Sequence, residues 1–173
     1  MTKSCLPAFP LVVFGVVEPV LLIWAYIVAL RDPTAFFAAQ APNFPLPLPV
    51  VSVSEPEPVE PVIPPQALVL LLQLVNVYLL LAGLAVVCSW TPHASVARGY
   101  LVVVALADYG HIWACYRGVG AELFWNTAEW NDMLWGGVGV SLALNVVRWF
   151  TVLGAFGALG GPRGPGGKKK KNV

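Results

Sequence analysis

Charge is what this chain has least of. Only 11% of its 173 residues are Asp, Glu, Lys or Arg, against 58% hydrophobic, where a soluble domain has about 25% charged and about 45–50% apolar residues. A soluble fold of this size leaves too much of its surface exposed to hide that surplus. Lipid is the solvent that resolves the conflict. A net charge of +1 gives no basic surface for nucleic acid. Cysteine is also scarce. Cys5, Cys88 and Cys115 are odd in number and form no CxxC spacing, which excludes a fully paired disulfide framework and offers no metal site. No cofactor motif is present, and no N-x-[ST] glycosylation acceptor occurs. Cys88 and Cys115 read as small apolar residues within helices, and Cys5 or Cys88 sits where an acyl chain could be attached near the membrane surface.

What is abundant is long apolar sequence. A membrane-crossing helix needs about 20 largely apolar residues. Four segments qualify, at about 11–30, 67–90, 99–117 and 133–159, and predict an all-α, integral membrane four-helix bundle within residues 1–160. The first is too long for the apolar region of a signal peptide, and the small-residue site Ala39-Gln40-Ala41 is followed by Pro42, which disfavours cleavage. The segments are unequal. The first holds thirteen Leu, Ile, Val or Phe residues, each favouring insertion by roughly 0.3–0.6 kcal/mol, which outweighs one central acid at about 2.5–3.5 kcal/mol. The third sets only six such residues against Asp108 and His111, so it is expected to insert only alongside the others. Between the first two spans, residues 31–66 carry nine prolines from Pro42 to Pro65, which predicts an extended, polyproline-like lumenal connection. Residues 161–173, rich in Gly and Lys, are expected to form a disordered tail.

Basic residues mark the cytoplasmic side. Lys168 to Lys171 place the C-terminus there, and four spans return the N-terminus, with Lys3, to the same side. The connection holding His93 and Arg98 is also cytoplasmic on this reading, and those holding Glu55, Glu57, Glu60, Glu122, Glu129 and Asp132 are not. The ending KKNV resembles a dilysine retrieval signal, with Lys170 and Lys171 as its lysines. It implies residence in the endoplasmic reticulum and contact with a retrieval coat. The alternative is a basic patch drawn to anionic lipid.

The polar residues inside the spans carry the most information. They are Glu18; Gln73 and Asn76; Asp108 and His111; Asn145 and Arg148. Within each of the last three pairs the spacing is i, i+3, which puts both members on one helix face. Ionisable residues at membrane depth usually face a bundle interior or a wet cavity. At about 1.5 Å of rise per residue, Glu18, Asp108 and Asn145 fall near mid-membrane. Pro19 frees a backbone carbonyl beside Glu18 and can kink the helix there. Arg148 is expected to pair with Glu18 or Asp108. Two acids and one arginine leave a carboxyl over, and a protonated carboxyl beside a histidine is a plausible proton donor. Trp24, Tyr26, Trp113, Tyr116, Trp125, Trp130 and Trp135 gather near the lumenal ends, as interfacial anchors or as the wall of a lipid-sized pocket.

These residues match a pattern. Glu18-Pro19, Gln73-x-x-Asn76-x-Tyr78, Asp108-Tyr109-Gly110-His111, Trp130-Asn131 and Asn145-x-x-Arg148 resemble a family of small fungal four-span membrane proteins known only as a domain of unknown function. The resemblance runs from about Phe14 to Gly157 and implies a membrane location and a fungal source, but no activity. In architecture the chain is also similar, more distantly, to the emopamil-binding sterol-isomerase and sigma-receptor-like proteins. That similarity implies a sterol-sized cavity in which Glu18, Asp108, His111 and Trp113 play comparable parts. On the reading as a protein that binds a sterol- or isoprenoid-like lipid, Asp108 or Glu18 donates a proton, His111 tunes or recycles it, Arg148 holds the second carboxylate, and Gln73, Asn76, Trp113, Asn145 and Arg148 are the ligand-binding residues. The competing function is a non-enzymatic structural or assembly component whose polar residues only lock helices together. A proton-coupled transporter is disfavoured because the two halves show no internal repeat.

Overall fold

The computed structural model describes residues 4–46 and 63–160. Prolines 47–61, Glu55, Glu57, Glu60, and the tail with Lys170 and Lys171 lie outside the described residues, and so do the expectations attached to them. Among the described residues every regular element is helical. Helix α1 spans Ala8–Arg31, α2 Pro33–Ala39, α3 Pro65–Ser89, α4 Ala94–Trp125 and α5 Asp132–Val152. Three of these, α1, α3 and α5, are long and apolar enough to cross a membrane, so the protein is an all-α integral membrane protein. Helix α4 is longer than any of them but is diluted by Arg98, Asp108, His111, Arg117 and Glu122.

The helices associate as two antiparallel pairs, α1 with α3 and α4 with α5. At one end a single apolar cluster joins the pairs through Phe14 of α1 and Ala97 and Leu101 of α4, with Leu144 and Val147 of α5 against them. At the other end there are two clusters. Ala29, Phe36, Leu71 and Val75 knit α1, α2 and α3, while Val119, Leu123, Leu134 and Val138 knit α4 and α5. Helix α2 and the turn after it tie these together. Asn131 Nδ2 donates to the Ala39 carbonyl at 3.0 Å, and Asn43 Nδ2 donates to the Val119 carbonyl at 2.8 Å.

Several features depart from the expected pattern. Helix α2 lies inside the stretch read as a connection. Asp32 caps it by accepting from the Ala35 N–H at 2.8 Å, and Pro33 fills the first turn, where no donor is needed. Helix α4 extends to Trp125 through a break at Gly120, whose φ of 80° suits glycine. Helix α5 ends at Val152, short of 159, because Gly154 at φ 84° turns the chain away. Both α1 and α5 contain a π-helical stretch, Val13–Val17 and Trp135–Val140. In α1 the cause is local. Pro19 has no N–H to offer the Gly15 carbonyl, and Trp90 Nε1 donates to that carbonyl instead, at 3.1 Å.

Candidate functional site

The polar centre is built from three helices. Glu18 comes from α1 immediately after its π stretch, Asp108 from α4, and Asn145 and Arg148 from α5 after its own π stretch. A π turn shifts the register of everything that follows, so it re-aims side chains without ending the helix. Arg148 is the largest fully buried side chain, with 1% of its surface exposed. Its Nη2 donates to Glu18 Oε1 and its Nη1 to Asp108 Oδ2, the latter at 2.6 Å. Asn145 Nδ2 donates to the Ala105 carbonyl at 2.7 Å and to Asp108 Oδ2 at 3.3 Å. The guanidinium carbon lies 5.2 Å from the centre of the Phe14 ring, a distance that suits a cation over an aromatic face.

One arginine fork therefore bridges two carboxylates from two other helices, a geometry that a lysine point charge does not reproduce. The expected pairing with Glu18 or Asp108 is in fact with both. The centre is not saturated. Glu18 Oε2, Arg148 Nε and the hydroxyl of Tyr100 are buried with no hydrogen-bond partner among the described residues.

The other candidate residues lie elsewhere. His111 is exposed at the α4–α5 seam, with Nε2 4.0 Å from Cys115 Sγ and close to Gly137, and it makes no hydrogen bond to the centre. Trp113 is 64% exposed. Gln73 and Asn76 share a face, as their spacing requires, but it is not the buried one. Helix α3 packs through Leu71, Val75, Ala82, Ala85 and Ser89, and at roughly 100° per residue Gln73 and Asn76 project from its far side. Gln73 and Asn76 thus do not face the bundle interior, because spacing fixes which residues share a face and not which way it turns.

Sequence reading missed Phe14 and Tyr100. Phe14 stands one turn before Glu18 and is fully buried, a placement that i, i+4 spacing from the acid would have flagged. Tyr100 carried no such signal. At the end of the bundle near Ser4, a cavity of about 390 Å³ is lined by Ser4, Cys5, Leu6, Pro7, Phe156, Gly157 and Ala158. Cys5 is itself buried there. Burial pushes its thiol up from the ordinary value, which disfavours the reactive thiolate that acylation needs.

Fold and centre together define a helical integral membrane protein braced by a buried interhelical charge cluster. The chain belongs to the family described as Domain of unknown function (DUF7704), which matches residues 3–158. That match takes in every residue of the centre and stops short of the lysine tail. No curated protein and no solved structure matches the chain.

Proposed function

We propose that this is a four-span membrane protein whose polar centre is an interhelical lock, making the chain a non-enzymatic structural or assembly component of its membrane. The observation that carries this reading is the commitment of Arg148, whose two terminal nitrogens each bind a carboxylate from a different helix. Such a centre spends its charge on itself. Helix α4 counts as the fourth span because it runs beside α5 from the level of Asn145 to that of Leu134. From Ala94 to Val119 it extends about 39 Å at about 1.5 Å per residue, enough for a hydrocarbon core about 30 Å thick. With four spans, the lysines at 168–171 set both termini in the cytoplasm, and Lys170 and Lys171 would return the protein to the endoplasmic reticulum through a retrieval coat.

One observation favours a second reading, a bundle of the emopamil type that binds a sterol- or isoprenoid-like lipid. Glu18 Oε2, Tyr100 OH and Arg148 Nε are buried polar atoms with no hydrogen-bond partner among the described residues, which a lipid hydroxyl could engage. In that reading Asp108 or Glu18 supplies a proton and His111 returns it, with Asn145 and Arg148 at the ligand. Gln73, Asn76 and Trp113 would then touch a ligand only from the outer faces of α3 and α4.

The two readings separate on Asp108→Asn and His111→Ala. A lock predicts that Asp108→Asn lowers abundance and melting temperature together, while His111→Ala, which removes no hydrogen bond of the centre, leaves both unchanged. Mass spectrometry of lipids that co-purify with the protein is the companion measurement. A stoichiometric sterol or isoprenoid, lost in His111→Ala at normal protein abundance, would overturn the lock in favour of the binding site.

A further inference from the structure

Gln73 and Asn76 have no role in the centre, yet they sit in the middle of a membrane-crossing helix. No hydrogen-bond partner for either is found among the described residues, and both are exposed. They belong to a longer pattern. Val69, Gln73, Asn76, Leu80, Gly83 and Val87 alternate steps of four and three along α3 and are all exposed, Leu80 and Val87 by 60% and 69%. Those are the a and d positions of a heptad seam. It lies about half a turn from the buried face of α3, so no helix among the described residues covers it.

The exposed residues through the middle of α1, by contrast, are Val16, Val17, Val20, Leu21, Ile23 and Trp24, side chains suited to lipid. An amide turned toward hydrocarbon has lost its water and needs another partner. A carboxamide carries both donors and an acceptor, so its own counterpart on a second chain satisfies it. Copies inserted in one topology present α3 in one direction. Two of them therefore meet as parallel helices about a two-fold axis along the membrane normal, where each a or d residue faces its equivalent. Within the seam, Gly83 has nothing within 4 Å of where a Cβ would stand, which lets the two backbones approach.

We infer that the chain forms a parallel homodimer through α3, with Gln73 and Asn76 hydrogen-bonded to the same residues of a second copy. The partner is a second copy because the seam is self-complementary in chemistry and in direction. The dimer does not depend on whether the Arg148 centre is a lock or a ligand site.

The test uses the full-length chain in its own membrane. A photo-crosslinking amino acid at position 80 or 87 is expected to give a product of twice the monomer mass. The same probe at Leu74 or Val86, exposed on α3 but off the seam, is expected to react with lipid only. Gln73→Leu with Asn76→Leu should reduce co-isolation of two differently tagged copies by about tenfold or more, without changing the monomer's melting temperature. Equal crosslinking at all four positions, crosslinks at 80 and 87 only to a different protein, or undiminished co-isolation of the double variant would each overturn the dimer.

Discussion

An arginine at the centre of a membrane-crossing helix costs about 2.5–3.5 kcal/mol on the insertion scale, and Arg148, one turn from Asn145 within α5, persists only because its surroundings compensate for it. Its two carboxylate partners, the Phe14 ring and full burial all act on one side chain. Removing the cation strands two acids. Arg148→Met is therefore expected to destabilise the folded bundle by about 3–5 kcal/mol, read as a lower unfolding midpoint in detergent. Arg148→Lys keeps the charge but loses the two-pronged geometry, and should fall between wild type and Met. The triple variant Glu18→Gln, Asp108→Asn, Arg148→Met should recover much of the loss, because no buried charge is left unpaired. Wild-type stability in Arg148→Met would remove the lock. At this scale the sequence was informative. An acid, an acid and a base at similar depths announced a charge cluster before any contact was known. It could not show that one arginine serves both acids, since that depends on how α1, α4 and α5 pack around it.

Elements show where sequence reading runs out. Long apolar runs located α1, α3 and α5, and the shortage of such residues singled out α4 as the weak one. It packs along α5 through Asn145 to Ala105 and through Gly137 beside His111 and Cys115. A reporter carrying residues 94–125 alone should insert poorly, and one carrying residues 94–152 should insert well; efficient solitary insertion would contradict this. Helix α2 escaped notice because nearby prolines obscured the capping signal of Asp32-Pro33. The outward turn of Gln73 and Asn76 escaped because periodicity carries no information about which neighbour a face meets. The α1–α3 contact can be probed directly. A Cβ on Gly15 would lie 2.9 Å from Trp90 Nε1 and 3.3 Å from Ser89 Cβ, so Gly15→Ala should cost about 1–3 kcal/mol through overpacking. Trp90→Phe should cost about 1 kcal/mol for the hydrogen bond to the Gly15 carbonyl. Combined, the two changes should cost less than their sum, since Phe lacks the nitrogen that Ala meets. Strict additivity in thermal unfolding would mean that these residues do not press on each other.

At the scale of the whole molecule the open quantity is direction. The helices fix which ends lie together. The Ser4–Pro7 segment, the α3–α4 turn and the stretch after α5 are mutually bonded, through Cys5 N–H to the Thr91 carbonyl at 2.9 Å and Gly160 N–H to the Cys5 carbonyl at 2.8 Å. Cys5 and Gly160 therefore lie at one end of the bundle, together with His93 and Arg98, whichever way it is inserted. One orientation experiment then decides everything at once. In sealed microsomes, tags at the N-terminus and after residue 173 should both be cut by protease added outside, while an engineered glycosylation site within residues 50–60 should be modified. Protection of either tag alone would break the even count of spans and remove α4 as a crossing helix. Protection of both, with no glycosylation, would keep the bundle and invert it. Inversion would also place Lys170 and Lys171 in the lumen, where a cytoplasmic coat cannot reach them. Lys170→Ala with Lys171→Ala is thus expected to release the protein to later compartments only if the tags are cut. Cut tags with unchanged localisation would leave the lysines a basic patch held at the membrane surface by anionic lipid.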